Sequence, residues 1–170
     1  MKALRPKWVR SQMDINVVRQ ELATGLGIPI SSLIWANQNG TRPKDTHATL
    51  YQMSVNEDTR PEDIITTKGQ DDEIHINYVN SLEVQVYDKE YNNAIKRLRN
   101  MVNHLNTPPA LANMATSGFV FIDSSSIVDL VAILDGSSFE SRASVTLRFR
   151  TKDVTPYKQE FVESATIKNI

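Results

Sequence analysis

The strongest constraint on the fold is a stripe of apolar side chains that recurs at helical spacing without a break between residues 91 and 105. The stripe consists of Tyr91, Ala94, Ile95, Leu98, Met101, Val102 and Leu105. Spacings of three and four residues place these side chains on one side of a helix, which must bury that side against another layer. We expect a long amphipathic helix here, capped by Asp88 and ended by Pro108 and Pro109, because proline cannot continue a helix.

Two shorter helices are predicted, one on each side of the long one. Residues 14–24 place Ile15, Val18 and Leu22 on one side, and the following Gly-Leu-Gly-Ile-Pro sequence is typical of a helix end. Residues 110–116 follow Pro109, which is favourable in a first helical turn.

Several segments instead alternate between apolar and polar residues, which is typical of strands with one buried face. The clearest are 49–55, 74–86, with a bulge expected around Asn80 and Ser81, and 143–149. Shorter strands are predicted at 33–36, 119–122 and 127–134, and a turn at Lys152-Asp153 is expected to precede a final strand over 157–167. The pattern predicts an α+β fold, in which an antiparallel (mixed) β-sheet carries the long helix and the shorter helices on one face.

The length of 170 residues fits one domain, so we assign residues 1–170 to a single unit. Residues 1–11 form a basic N-terminal arm without the apolar stretch of a signal peptide, and residues 56–72 form a polar loop or hairpin tip. No apolar run approaches the ~20 residues needed to span a bilayer. Apolar content of 40% and charged content of 23% are those of an ordinary globular protein rather than a disordered one.

The residue inventory argues against catalysis. The chain has no cysteine, and its three histidines (His47, His75 and His104) do not have metal-ligand spacing. We find no phosphate-binding loop, dinucleotide fingerprint or nucleophile motif. Nineteen basic and 20 acidic residues give a net charge of -1, so no global positive field attracts nucleic acid. The sequence therefore predicts a non-enzyme with no catalytic residue, no cofactor and no metal.

Three arginines share one side of a predicted strand: Arg142, Arg148 and Arg150. They could belong to a solvated sheet face. They could equally form a contact surface, because the arginine guanidinium pairs well with carboxylates and phosphates. Both interpretations remain open from the sequence.

Three segments carry a resemblance to a known family. Residues 35–43, Trp-Ala-Asn-Gln-Asn-Gly-Thr-Arg-Pro, join a tryptophan-containing strand to a proline-containing loop, and residues 87–103 join a strand to an amphipathic helix. Residues 134–143 place a turn and a Phe-Glu-x-Arg-Ala phrase before an alternating strand. In this order, over about residues 12–167, they resemble the neck and tail terminator proteins of tailed bacteriophages.

The resemblance implies a structural virion protein that forms a homohexameric ring in the tail neck. Such a ring caps the tail tube, stops its polymerisation and offers a joining surface to the head-completion (connector) proteins. The implied partners are other copies of the chain, the tail tube protein and the connector proteins, with the tail sheath as a further candidate. Genomic DNA would pass through the bore without sequence-specific binding. The implied location is the virion, with assembly in the host cytoplasm.

Two sets of residues are predicted to contact neighbouring subunits or partners. One lies in the polar segments 41–46 and 56–72 and comprises Arg42, Lys44, Asp58 and Arg60. The other is the arginine group Arg142, Arg148 and Arg150. The alternative functions are another head-completion, neck or baseplate structural protein, then a nucleic-acid-binding module, and last a hydrolytic enzyme.

Overall fold

The computed structural model describes residues 15–36, 43, 45–57, 65–68, 71–90, 92–130, 132–134 and 138–157. The helices are α1 (Ile15–Leu26), α2 (Asn93–Leu105) and α3 (Pro108–Thr116), with a 3-10 turn at Ile30–Ser32. The strands are β1 (Leu33–Trp35), β2 (His47–Glu57), β3 (Ile65–Lys68), β4 (Asp71–Asp88), β5 (Phe119–Ser124), β6 (Val128–Asp129), β7 (Ala132–Leu134) and β8 (Ser138–Tyr157).

The strands form a mixed sheet in the order β1-β2-β4-β8-β5. β1 runs parallel to β2, whereas the pairings of β2 with β4, of β4 with β8 and of β5 with β8 are antiparallel. The short strands extend this path at its edges, where β3 pairs with β4, and β6 and β7 pair with β8. The predicted α+β fold, with helices packed on a largely antiparallel sheet, is confirmed.

The centre of the sheet is a long ribbon formed by β4 and β8. Their register runs without a break from Asp72 opposite Tyr157 to Asp88 opposite Ser141. At ~3.4 Å per residue the ribbon is about 55 Å long. The turn predicted at Lys152-Asp153 is wrong, because both residues lie inside β8 and pair with β4.

The bulge predicted in β4 is on the neighbouring strand instead. Gln52 pairs with Leu82 and Ser54 with Ser81, so Met53 is the extra residue and belongs to β2. A bulge needs two residues opposite one, and either strand can supply the extra one. The polar residue Asn80, which suggested the bulge, stays in regular register opposite Phe149.

The core lies between one face of the sheet and the helices. It includes Leu50 of β2, the β4 residues Leu82, Val84 and Val86, and the β8 residues Val145, Leu147 and Phe149. From the helices it includes Val18, Leu22, Leu26, Leu98, Met101, Leu105 and Met114. Helix α2 therefore buries the side on which the sequence places the apolar stripe. With 13 residues, however, α2 has an average length for a globular protein, so its description as a long helix is not confirmed.

Asp88 joins the end of β4 to the helices, but it is not the cap of α2. The residue before the helix is Asn92, in the left-handed conformation at φ 59°. The Asp88 carboxylate instead accepts hydrogen bonds from the Glu90 backbone NH (3.0 Å) and from Arg97 Nε (2.7 Å). The same arginine donates to the Leu26 carbonyl at the end of α1 (2.9 Å). The side chain of Asp88 thus connects β4, α2 and α1.

A second buried carboxylate connects the three helices. Glu21 of α1 is bonded through Oε2 to His104 Nε2 of α2 (2.7 Å) and through Oε1 to Asn113 Nδ2 of α3 (3.0 Å). The side chain is almost fully buried, and two hydrogen-bonding partners compensate for its loss of water. His104 is therefore part of the helical layer.

The polar segment 56–72 contains more regular structure than the sequence predicts. Glu57 still belongs to β2, residues 65–68 form β3, and β4 begins at Asp71. β3 pairs antiparallel with the first residues of β4, from Ile65 opposite Ile74 to Lys68 opposite Asp71. Residues 58–64 and the basic arm 1–11 lie outside the described residues.

Candidate functional site

The sheet face opposite the helices carries several exposed side chains. We call it the open face. Its residues are His47, Thr49, Tyr51 and Met53 of β2, Val79, Ser81, Glu83, Gln85 and Tyr87 of β4, Arg142, Ser144, Thr146, Arg148 and Arg150 of β8, Val120 and Asp123 of β5, and Val128 of β6. Because side chains alternate along a strand, these residues share one face while their neighbours fill the core.

One end of the open face is a stacked row across three strands. His47, Tyr87 and Arg142 lie directly opposite one another on β2, β4 and β8. The His47 and Tyr87 rings stack with centroids 4.6 Å apart, and the Arg142 guanidinium lies 5.0 Å from the Tyr87 centroid. Arg142 Nη2 also donates to Gln85 Oε1 (2.7 Å). Arg142 is therefore half-buried in a fixed network and does not project freely.

The other end of the open face carries exposed arginines. Arg148 binds the Asp123 carboxylate with both Nε (2.6 Å) and Nη2. This two-point contact lowers the pKa of Asp123 and raises the pKa of Arg148. The hydrogen bond is the larger cause of both shifts, and the charge interaction is a smaller one. Arg150 is the next residue of β8 on the same face and lies opposite Val120. Both arginine side chains are exposed.

Apolar side chains lie between and beside these charges. Tyr51 is 45% exposed, Met53 52% and Val120 53%, and Val128 on the same face is also exposed. Scattered exposed apolar residues are ordinary, but here they share a face with arginines. Contact surfaces between proteins combine arginine with apolar and aromatic groups in this way.

The histidines with described surroundings lie in separate parts of the structure. His47 stacks on Tyr87 on the open face, and His104 is bonded to Glu21 in the helical layer. His75 lies near the start of β4. Among the described residues, no group of three or more histidine or acidic side chains is placed to hold a metal ion. Within the same residues, no helix is long and apolar enough to cross a membrane.

The structure separates the arginines that the sequence groups together. All three lie on the open face, but Arg142 is six residues from Arg148, or about 20 Å at ~3.4 Å per residue. Only Arg148 and Arg150 form an exposed pair. Their role as contact residues stays a prediction. The other predicted contact residues, Arg42, Lys44, Asp58 and Arg60, lie outside the described residues.

Sequence reasoning missed the partners of these arginines. Asp123 has the same parity in β5 as the core residues Phe119 and Phe121, and only a register shift after Phe121 brings it opposite Arg148. His47 and Tyr87 are 40 residues apart and meet only through the β2–β4 register. The local sequence contains no signal for either contact.

Comparison with known proteins identifies the family. A family model described as phage neck terminator protein matches residues 13–170, which is nearly the whole chain. No curated protein matches it. The resemblance noted in the sequence is confirmed, and the chain belongs to the phage neck terminator protein family.

Proposed function

We propose that this protein is a non-enzymatic component of the virion neck that forms a homohexameric ring on the end of the tail tube. The ring stops tube polymerisation and provides the surface on which the head is joined. The observation that carries this proposal is the open face, which combines exposed arginines with exposed apolar side chains in a chain of the neck terminator family.

A ring requires two different patches on each subunit, because identical patches produce closed pairs rather than cyclic assemblies. The open face supplies one patch of suitable size. The four strands β2, β4, β8 and β5 are ~4.8 Å apart, and about ten residues along them cover on the order of 600 Å². A stable interface takes roughly 800 Å² from each partner, so this face provides most of one side.

Two polar segments complete the proposed contacts. Residues 41–46 and 56–72, with Arg42, Lys44, Asp58 and Arg60, would contact a neighbouring subunit or the tail tube protein. The head-completion proteins, and the sheath where the tail has one, would bind the ring at its other surfaces. DNA would pass through the bore without sequence-specific contacts, in keeping with the net charge of -1. Assembly would take place in the host cytoplasm.

Charge reversal on the open face tests the proposal. Arg148→Glu with Arg150→Glu places two carboxylates beside Asp123, so the face repels any partner that arginine attracts. We expect ring formation and tail joining to fall at least about tenfold, a change of ~1.4 kcal/mol in assembly free energy. Light scattering measures the assembly, and circular dichroism measures the fold, which should be unchanged.

The matched control is Lys96→Glu with Arg99→Glu on the exposed side of α2, which makes the same change in charge on the helical side of the molecule. This control should assemble normally if the open face forms the contact. Normal assembly of the Arg148/Arg150 variant would remove the open face from the proposed interface. Equal loss in both variants would assign the effect to net charge instead.

A further inference from the structure

Helix α2 presents a polar surface on the side that faces away from the core. Its exposed residues are Lys96, Arg99, Asn100 and Asn103, and Asn92 is exposed just before the helix. Separations of three and four residues place these five side chains beside one another on the helix surface. They line a common surface depression. We call these five residues the α2 patch.

The α2 patch carries positive charge with little acidic charge around it. Helices α2 and α3 contain no aspartate or glutamate, and the carboxylate of α1, Glu21, is buried and bonded within the helical layer. The exposed Glu90, which precedes α2, accepts a hydrogen bond from Asn93 Nδ2 (3.1 Å). Within the described ranges, neither Lys96 nor Arg99 is paired with a carboxylate. The patch is therefore locally basic although the whole chain has a net charge of -1.

The composition of the α2 patch suits a phosphate backbone better than a protein surface. Interfaces with DNA are more polar and more positively charged than interfaces between proteins. Lysine and arginine neutralise phosphates, and asparagine donates hydrogen bonds to phosphate oxygens. The open face differs, because Tyr51, Met53 and Val120 are exposed there beside the arginines. Every exposed residue of α2 is instead lysine, arginine or asparagine.

We propose that the α2 patch binds the phosphate backbone of duplex DNA without reading its sequence. Single-stranded nucleic acid is usually held by aromatic side chains that stack on the bases, and the patch has none, which favours a duplex. The patch extends about 16 Å along the helix, enough to meet several phosphates of one strand. Two cations per chain make each contact weak, so DNA can move past it. The inference rests on the proposed function only for the source of the DNA, because the proposed ring encloses the path of the genome.

Fluorescence anisotropy of a labelled duplex, measured at several salt concentrations, tests the proposal. We expect two duplexes of unrelated sequence to bind equally well and to be released by salt. Lys96→Gln with Arg99→Gln should weaken binding at low salt at least about tenfold and reduce the slope of log affinity against log salt by about 2. The proteins are compared at concentrations at which light scattering gives them the same mass, and circular dichroism checks the fold.

The matched control compares two single substitutions, Lys96→Gln and Lys89→Gln. Lys89 is also exposed, but it is paired with Asp45 (2.9 Å) outside the α2 patch. Lys96→Gln should reduce the salt slope by about 1, and Lys89→Gln should leave it unchanged.

Two results would overturn this inference and leave the proposed function standing. The first is a protein that forms rings but does not bind the duplex, or binds it equally well without Lys96 and Arg99. The second is a double variant that fails in tail joining while its affinity for DNA is unchanged, because the α2 patch would then contact a protein. A marked preference for one of the two duplexes would contradict binding through the backbone alone.

Discussion

Replacing Gly25 by alanine is expected to lower the free energy of unfolding by about 2 kcal/mol, even though alanine is the better helix former. A Cβ at this position would lie 2.8 Å from Met101 Cα and 3.1 Å from His104 Cβ. The nearest atom belongs to the backbone of α2, so no rotation of a side chain can relieve the overlap. The two helices would have to separate, which loosens the buried contacts of Leu98 and Leu105. Urea unfolding followed by circular dichroism measures the change.

Gly118→Ala is the matched control for this prediction. Gly118 has φ +80° and no atom within 4 Å of an added Cβ, so the substitution introduces backbone strain without overlap. Its cost should be about 1 kcal/mol. A Gly25→Ala protein as stable as the original would show that α1 and α2 do not pack this closely at Gly25.

The second large effect is expected from Asp88→Asn. The asparagine keeps the shape of the side chain but removes the charge that Arg97 and the Glu90 NH stabilise. Its amide also presents donors where the native residue only accepts. Hydrogen bonds to a charged partner are worth about 1.5–3 kcal/mol, so we expect a loss of about 2 kcal/mol at neutral pH. The same unfolding measurement applies.

The pH dependence of this loss follows from the pKa of Asp88. Burial raises this pKa, but the hydrogen bonds from Glu90 NH and Arg97, with the charge of Arg97, outweigh it, so the pKa lies below its usual 3.8. A lowered pKa in the folded state stabilises the protein above the unfolded value, and the stabilisation is lost as pH falls through the folded value. The gap between the native protein and Asp88→Asn should therefore shrink in strong acid.

Asp45→Asn makes the same chemical change in an exposed pair. Asp45 and Lys89 are joined over 2.9 Å, but both side chains are largely in solvent. Exposed ion pairs contribute little to stability, so this variant should unfold like the native protein. If both variants lost the same stability, or if the effect of Asp88→Asn did not depend on pH, the connecting role of Asp88 would be wrong.

The fold was predictable wherever one face of an element is buried. Core residues of β4 such as Val84 and Val86 alternate with polar ones, and the α2 stripe matches the residues buried against the sheet. Near the C-terminal end of β8, in the β4–β8 ribbon, the sequence-based prediction was wrong. Lys152 and Asp153 follow the buried residues Phe149 and Thr151, and their polarity suggested a turn although they continue the strand. Two adjacent polar residues interrupt the alternation on which the prediction of a strand depends.

The candidate site was predictable only in part for a related reason. Alternation in one strand places Arg148 and Arg150 on the same face, and the structure places them so. Pairing between distant strands depends on register, which local sequence does not reveal. The contact between Asp123 and Arg148 requires the irregularity in β5. The row of His47, Tyr87 and Arg142 requires two separate strand pairings.

The proposed function of this neck terminator family member is assembly on the tail tube. Electron microscopy of isolated tail tubes mixed with the purified protein tests that claim most directly. We predict a ring of density at one end of each tube and no further growth when fresh tube protein is added. Bare tube ends, with elongation as fast as in the absence of the protein, would contradict the proposal.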